Sequence, residues 1–134
     1  MIEIHGWLSI SATYQCEDLL LQSEIDRIMQ QVQDIVSNCQ YEIDLRYVNG
    51  CAFINTLYCS NHRTEEVDVL IETYKRISET ATGSYGVLFI RDDEDKTYYN
   101  EMQVYIFKKG KCLLKRDIVF SPCIPTIEDE MILK

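Results

Sequence analysis

The chain has 134 residues, of which 46% are hydrophobic, and it carries a formal net charge of −9. This length and composition predict one folded domain, residues 1–134, with a core of its own. The acidic balance argues against a nucleic acid or an anionic membrane as partner, because both would repel the chain. With no basic, apolar leader and no apolar run long enough to cross a bilayer, we expect a cytoplasmic protein.

The first predicted element is a strand at the N-terminus that contains the only tryptophan. In the run Met1–Leu8, isoleucines alternate with Glu3 and His5, which is the period-2 pattern of a half-buried strand. Gly6 leaves room for a close backbone approach or a bulge. We expect Gly6 and Trp7 to be structural anchors, with the indole in the core, because large aromatic side chains are mostly buried. The alternative is that Trp7 anchors a partner.

Two amphipathic helices are predicted next, one on each side of a hairpin. Apolar residues at three- and four-residue steps predict a helix over residues 17–39 and another over residues 65–81. Thr64 is placed to cap the second helix. Between the helices, Asn49-Gly50 predicts a two-residue type I′ turn that joins strands 41–48 and 51–59.

Pairing outward from this turn assigns the hairpin residues to two faces. The face expected to join the core contains Tyr41, Ile43, Leu45, Tyr47, Ala52, Ile54 and Tyr58. The opposite face contains Glu42, Asp44, Arg46, Phe53, Asn55 and Leu57. Apolar groups surrounded by charge are typical of protein interfaces. Glu42, Asp44, Phe53 and Asn55 are therefore candidate partner-binding residues, and the alternative is that another strand or a second copy covers this face.

Three further strands complete the predicted sheet. The apolar run 85–90 predicts a central strand covered on both faces, and it leads into the charged turn Asp92-Asp93-Glu94-Asp95. Strands 102–107 and 111–116 form a second hairpin. A three-residue loop with Gly110 in the left-handed conformation would align Met102, Val104, Ile106, Cys112 and Leu114 on one face. The order β-α-β-β-α-β-β-β predicts an α+β two-layer sandwich, with two helices on one face of a mostly antiparallel sheet.

The residue types that carry catalysis do not form a convincing site. Cys59 and His62 are the one nucleophile–base pair close in sequence, with no third orienting group, so we expect no enzyme. Six cysteines without a Cys-x-x-Cys pair, and only two histidines, predict neither a metal site nor a cofactor. The basic and aromatic residues of segment 105–111 form too short a patch to predict nucleic-acid binding in an acidic protein.

Three short motifs resemble the immunity protein 7 family of bacterial polymorphic-toxin and contact-dependent growth inhibition systems. They are the opening Ile2-Glu3-Ile4-His5-Gly6-Trp7, the run Arg91-Asp92-Asp93-Glu94, and the tail Ser121-Pro122-Cys123-Ile124-Pro125 with Glu128 and Asp129. The resemblance covers essentially the whole chain. It implies an antitoxin that binds the C-terminal domain of a cognate toxin and neutralises it by occlusion. The toxin domain that the resemblance implies is basic and nuclease-like, for instance a tRNase.

Under that interpretation the acidic run Asp92, Asp93, Glu94 and Asp95 is a second candidate surface for the toxin. The alternatives for this run are a solvated loop or a calcium site, although it lacks the spacing of a calcium-binding loop. A structural or regulatory protein that self-associates, as a homodimer for example, through its open sheet face is the competing hypothesis for the whole chain. Measurement of molecular size separates the two functions.

Overall fold

A computed structural model describes residues 1–41 and 43–130 and shows the predicted order of strands and helices. The strands are β1 (Ile2–Ile10), β2 (Asp44–Val48), β3 (Cys51–Ser60), β4 (Tyr85–Asp92), β5 (Met102–Lys108) and β6 (Lys111–Arg116). The helices are α1 (Gln22–Asn38), α2 (Glu65–Thr80) and the short α3 (Cys123–Thr126), and a 3₁₀ turn spans Glu17–Leu19. The predicted α+β class and the order of elements are confirmed.

The six strands form one antiparallel sheet in the order β2-β3-β1-β4-β5-β6. The first strand of the chain is therefore central, with β3 on one side and β4 on the other. Because both neighbours are antiparallel to β1, β3 and β4 run parallel to each other. Such a pair needs a long crossover connection, and α2 provides it.

The core lies between one face of the sheet and the two long helices. Every second residue of β1 points into it, and Ile2, Ile4 and Leu8 are fully buried. Thr64 caps α2 as predicted by accepting a hydrogen bond from the backbone N–H of Glu66. A buried hydrogen bond of 2.7 Å joins the hydroxyls of Thr56 on β3 and Tyr74 on α2. The two long helices, α1 and α2, therefore cover one face of the sheet. The opposite face is here named the open face.

Gly6 occupies a position in β1 that faces the core. A Cβ atom placed on it would lie 2.1 Å from Cδ2 of Leu88, the residue opposite it on β4. The register of β1 continues through Gly6 without a bulge. The space left by the missing side chain is therefore occupied by the side chain of Leu88, which is completely buried.

The sequence predicted the turn and the side-chain faces correctly for the first hairpin and incorrectly for the second. Around the Asn49-Gly50 turn, both residues have positive φ and the pairs Leu45–Ile54 and Arg46–Phe53 lie on opposite faces, as predicted. The predicted three-residue loop of the second hairpin is wrong. Lys109 and Gly110 both have positive φ and form a two-residue turn between Lys108 and Lys111.

This turn separates the five residues that the three-residue loop would have aligned. Cys112 and Leu114 pair with Phe107 and Tyr105 on the helix side, while Met102, Val104 and Ile106 point to the open face. Met102 and Val104 are nevertheless buried. The physical reason is that β5 has protein on both faces, so its apolar residues need not share one.

The cover on the second face of β5 is the C-terminal strap, residues 117–128. The backbone N–H of Met102 donates to the Ser121 hydroxyl, and Asp117 donates its N–H to the Met102 carbonyl. The carboxylate of Glu128 pairs with the buried Arg91 guanidinium at 3.0 Å. The strap thus covers the open face on the β4–β5 side.

Candidate functional site on the open face of the sheet

The part of the open face built from β1, β3 and the start of β4 exposes large side chains. We name Trp7, Phe53, Asn55, Leu57 and Tyr85 the open-face patch. Leu57 is 69% exposed, Tyr85 55% and Trp7 43%. Cross-strand pairing creates this cluster, because Asn55 lies opposite Trp7 on β3, and Tyr85 on β4 lies opposite Ser9, two residues along β1 from Trp7.

Trp7 was predicted to be a core anchor, and the structure places it on the open face instead. Its ring contacts Tyr85 edge-on, with ring centroids 6.1 Å apart and planes at 89°. Because Ile2, Ile4, Gly6 and Leu8 all face the helices, the alternation of β1 sends Trp7 to the other side. The same alternation makes His5 an exposed residue, and its Nε2 lies 2.9 Å from the Glu3 carboxylate.

The candidate residues of the first hairpin lie beside Trp7. The register places Asp44, Asn55 and Trp7 in one row across β2, β3 and β1. Asp44 is ion-paired with the guanidinium of Arg46 at 3.0 Å, and both side chains are about two-thirds exposed. Phe53 is half-buried in the adjacent row. Glu42, the fourth candidate, lies outside the described residues.

A depression of about 800 Å³ lies in the open face between these strands. Its walls include the aromatic residues Trp7, Tyr41 and Phe89 and the polar residues Asp44 and Asn55. Its other lining residues are His5, Gly6, Ile43, Thr56 and Leu57. The depression combines aromatic rings with a carboxylate, an amide, an imidazole and a hydroxyl, a mixture suited to an amphipathic group of a partner.

The second candidate surface, the acidic loop Asp92–Asp95, is an ordered turn at the end of β4. Asp93 accepts a hydrogen bond from the ammonium group of Met1 at 2.6 Å, and Glu94 lies 2.7 Å from Nδ1 of His62. Asp92 accepts a hydrogen bond from the backbone N–H of Glu94. The loop is therefore held against both the N-terminus and the β3–α2 connection.

Hydrogen bonds at this loop stabilise the charged forms of the Met1 ammonium group and of the Asp95 carboxylate. The hydrogen bond to Asp93 raises the pKa of the Met1 ammonium group. Backbone N–H groups of Tyr98 and Thr97 lower the pKa of Asp95. The acidic loop therefore presents negative charge at neutral pH, with the side chains of Asp93 and Glu94 still 42% and 49% exposed.

The acidic loop and the open-face patch lie at two positions along the same strands. Asp92 is opposite Ile2, and Val87 is opposite Trp7. Five residues of strand separate the two sites, which corresponds to about 17 Å. A standard interface buries about 800 Å² on each partner, so one partner of ordinary size can cover both sites.

Other chemistry weighed from the sequence has little geometric support. His62 is directed to Glu94, and Cys59 is a free, exposed thiol on β3. Within residues 1–41 and 43–130, no three His, Cys, Asp or Glu side chains are grouped so as to hold a metal ion. In that same part of the chain, no helix is long and apolar enough to cross a membrane.

An open sheet face with an aromatic centre and an acidic border defines a domain suited to binding another protein. The family model described as Immunity protein 7 matches residues 1–129. The chain therefore belongs to the immunity protein 7 family, as the three sequence motifs indicated. No curated protein and no solved structure matches the chain.

Proposed function

We propose that the chain neutralises a cognate toxin domain by binding it stoichiometrically through the open-face patch and the acidic loop. Family membership supports the role of an immunity protein. The observation that supports the surface is the exposure of Trp7, Leu57 and Tyr85 on one sheet face. Clusters of exposed large side chains on a soluble domain mark interaction sites, and their burial supplies most of the binding free energy.

The toxin domain is inferred to be a basic nuclease such as a tRNase. A nuclease needs a positively charged cleft to hold phosphates, and this chain carries a net charge of −9. Opposite charges accelerate the encounter of two proteins, by factors of roughly 10–10³ when the fields are focused. The chain would bind in the cleft or at its rim and exclude the nucleic acid without catalysing any step.

The distribution of charge supports one side of the sheet as the docking side. Five of the 13 Lys and Arg residues lie within residues 107–116, which contain no acid. They belong to the hairpin of β5 and β6, and β6 is one edge of the sheet. A basic toxin is repelled there, whereas β2 and β3 lie on the other side of β4 and the acidic loop at the end of β4 contacts Met1 and His62.

The direct experiment titrates the purified toxin domain, encoded by the neighbouring upstream reading frame, with this chain while RNA cleavage is measured. We expect cleavage to fall linearly and to stop at one chain per toxin domain. The association rate should fall steeply as ionic strength rises. An association rate that does not change with ionic strength rules out charge steering. A chain that associates with other copies of itself and does not bind the toxin domain favours the self-association hypothesis.

Matched variants test the proposed surface. Leu57→Ala on the open face should weaken the complex about tenfold or more, as expected for an interface anchor. Leu114→Ala is the control, because Leu114 is also more than half exposed but lies on β6. Glu94→Gln should lower the association rate, whereas Glu72→Gln on the helix side should not. Equal effects within each pair contradict the assignment of the surface.

A further inference from the structure

The depression beside Trp7 is open and lined by aromatic and polar residues, and it has room for a long side chain of a partner together with its neighbours. Its volume of about 800 Å³ falls within the range of roughly 300–1,000 Å³ that is usual for ligand pockets. Trp7 and Phe89 supply aromatic rings on its β1–β4 side, and Asp44 supplies a carboxylate on its β2 side. A purely apolar surface would accept any apolar group. Aromatic rings together with a carboxylate favour a group that is both planar or apolar and positively charged.

The Trp7 indole is well suited to contact a cation. Among aromatic side chains, the indole attracts cations most strongly through its face. Trp7 retains 43% of its exposure, and the edge-on contact with Tyr85 holds it at one side of the depression. The exposed part of the indole is therefore accessible to a side chain of a partner.

Asp44 lies two strands away from Trp7 on the same face of the sheet. Asp44, Asn55 and Trp7 occupy one row on three successive strands. Neighbouring strands are about 4.8 Å apart, so roughly 10 Å of sheet separates the Asp44 and Trp7 backbones. The present partner of Asp44 is Arg46 on its own strand, and both side chains are about two-thirds exposed. Such an exposed pair contributes little to stability, so an incoming cation can replace Arg46.

We propose that this depression receives an arginine side chain of the toxin domain, whose guanidinium lies on the Trp7 indole and pairs with Asp44. The proposal rests on the proposed function and specifies the chemistry of its contact. Arginine suits the site better than lysine because its planar guanidinium stacks on aromatic rings and also pairs with a carboxylate in a fixed geometry. A basic nuclease surface offers such residues.

Fluorinated tryptophan provides a test that changes the ring electrostatics with little change in shape. Trp7 is the only tryptophan of the chain, so biosynthetic incorporation of mono-, di- and trifluorotryptophan alters one site. The Kd for the unlabelled toxin domain is then measured for each form. A cation–π contact predicts a stepwise weakening with each fluorine, about 2- to 30-fold in total. Thermal unfolding of each labelled chain checks that the fold is retained.

Three variants complete the test. Asp44→Asn should weaken the same complex and reduce its salt dependence, while Asp68→Asn on α2, an equally exposed acid, should leave both unchanged. If fluorination leaves the Kd unchanged while Trp7→Ala weakens binding, the contact at Trp7 is apolar. That result overturns the arginine proposal but not the location of the site. A Kd unchanged by Trp7→Ala overturns the site. Failure of the unmodified chain to bind the toxin domain overturns the proposed function itself.

Discussion

The buried hydrogen bond between Thr56 and Tyr74 allows a quantitative test of how the open face is held in place. Thr56 is 5% exposed and Tyr74 is completely buried, and their hydroxyl oxygens are 2.7 Å apart. Thr56 lies between Asn55 and Leu57 of the open-face patch on β3. Its bond to α2 therefore anchors the strand from which two patch residues project.

Removal of either hydroxyl leaves the other without its partner in the core. Tyr74→Phe and Thr56→Val are each expected to lower the free energy of unfolding by about 1–3 kcal/mol, which is the cost of an unsatisfied buried polar group. The double variant removes both groups with little change in shape. It should lose no more than either single variant, so the coupling energy is about 1–3 kcal/mol.

Urea unfolding at neutral pH, followed by circular dichroism, measures these differences. With an m-value of about 2 kcal/mol/M, a loss of 2 kcal/mol moves the midpoint by about 1 M. Tyr99→Phe is the matched control, since Tyr99 is 57% exposed, and its midpoint should stay in place. If the free-energy losses of the two single variants add in the double variant, the coupling energy is zero. That result would contradict the predicted stabilisation by the Thr56–Tyr74 hydrogen bond.

The same hydroxyl also gives a prediction at alkaline pH. Burial raises the pKa of Tyr74 well above its ordinary value of 10.0. The unfolded chain therefore loses this proton at lower pH than the folded chain, and stability is fully present below pH 10 and is lost as pH rises above it. Tyr74→Phe should consequently show a shallower loss of stability than the unaltered chain above pH 10. If the stability of the two chains fell equally with pH above 10, the predicted role of the Tyr74 hydroxyl would be contradicted.

Two further predictions concern other parts of the fold. Gly86→Ala would place its Cβ 2.0 Å from the Trp7 carbonyl oxygen, so it should lower the free energy of unfolding by about 3 kcal/mol or more. Gly50→Ala is the control: Gly50 has φ of +77° and a Cβ there would have nothing within 4 Å, so the loss should be only about 1–2 kcal/mol. Urea unfolding measures both losses. Equal losses would contradict this reasoning. The hydrogen bond from Arg91 lowers the pKa of Glu128, so this pair stabilises the fold above pH 4.5 and its contribution is lost as pH falls below that value. Glu128→Gln should flatten the dependence of Tm on pH in that acidic range, and an unchanged profile would refute the strap contact.

Most of the fold was predictable because local signals agreed with one another. The Asn49-Gly50 turn fixed the register of the first hairpin, and one-sided burial fixed its faces. The same reasoning failed for the second hairpin, because it assumed a single covered face. The C-terminal strap covers the second face of β5, and nothing in the local alternation of strands 102–107 and 111–116 indicates a cover that distant in sequence.

The candidate site was predictable only in part. The alternation of the first hairpin correctly placed Asp44, Phe53 and Asn55 on the face opposite the core. Trp7 was assigned to the core from the usual burial of aromatic residues, although its own alternation with Ile2 and Ile4 pointed to the other face. Tyr85 was missed, because its proximity to Trp7 depends on the pairing of β1 with β4. That pairing is long-range and no local turn specifies it.

The central claim is that this chain protects against a toxin by binding it through the open face. The most direct measurement is growth of cells that express the C-terminal toxin domain of the neighbouring upstream reading frame, with and without this chain. We predict that the unaltered chain and Leu114→Ala restore growth, whereas Trp7→Ala, at equal protein level, restores it poorly. Continued toxicity in the presence of the unaltered chain would contradict the claim.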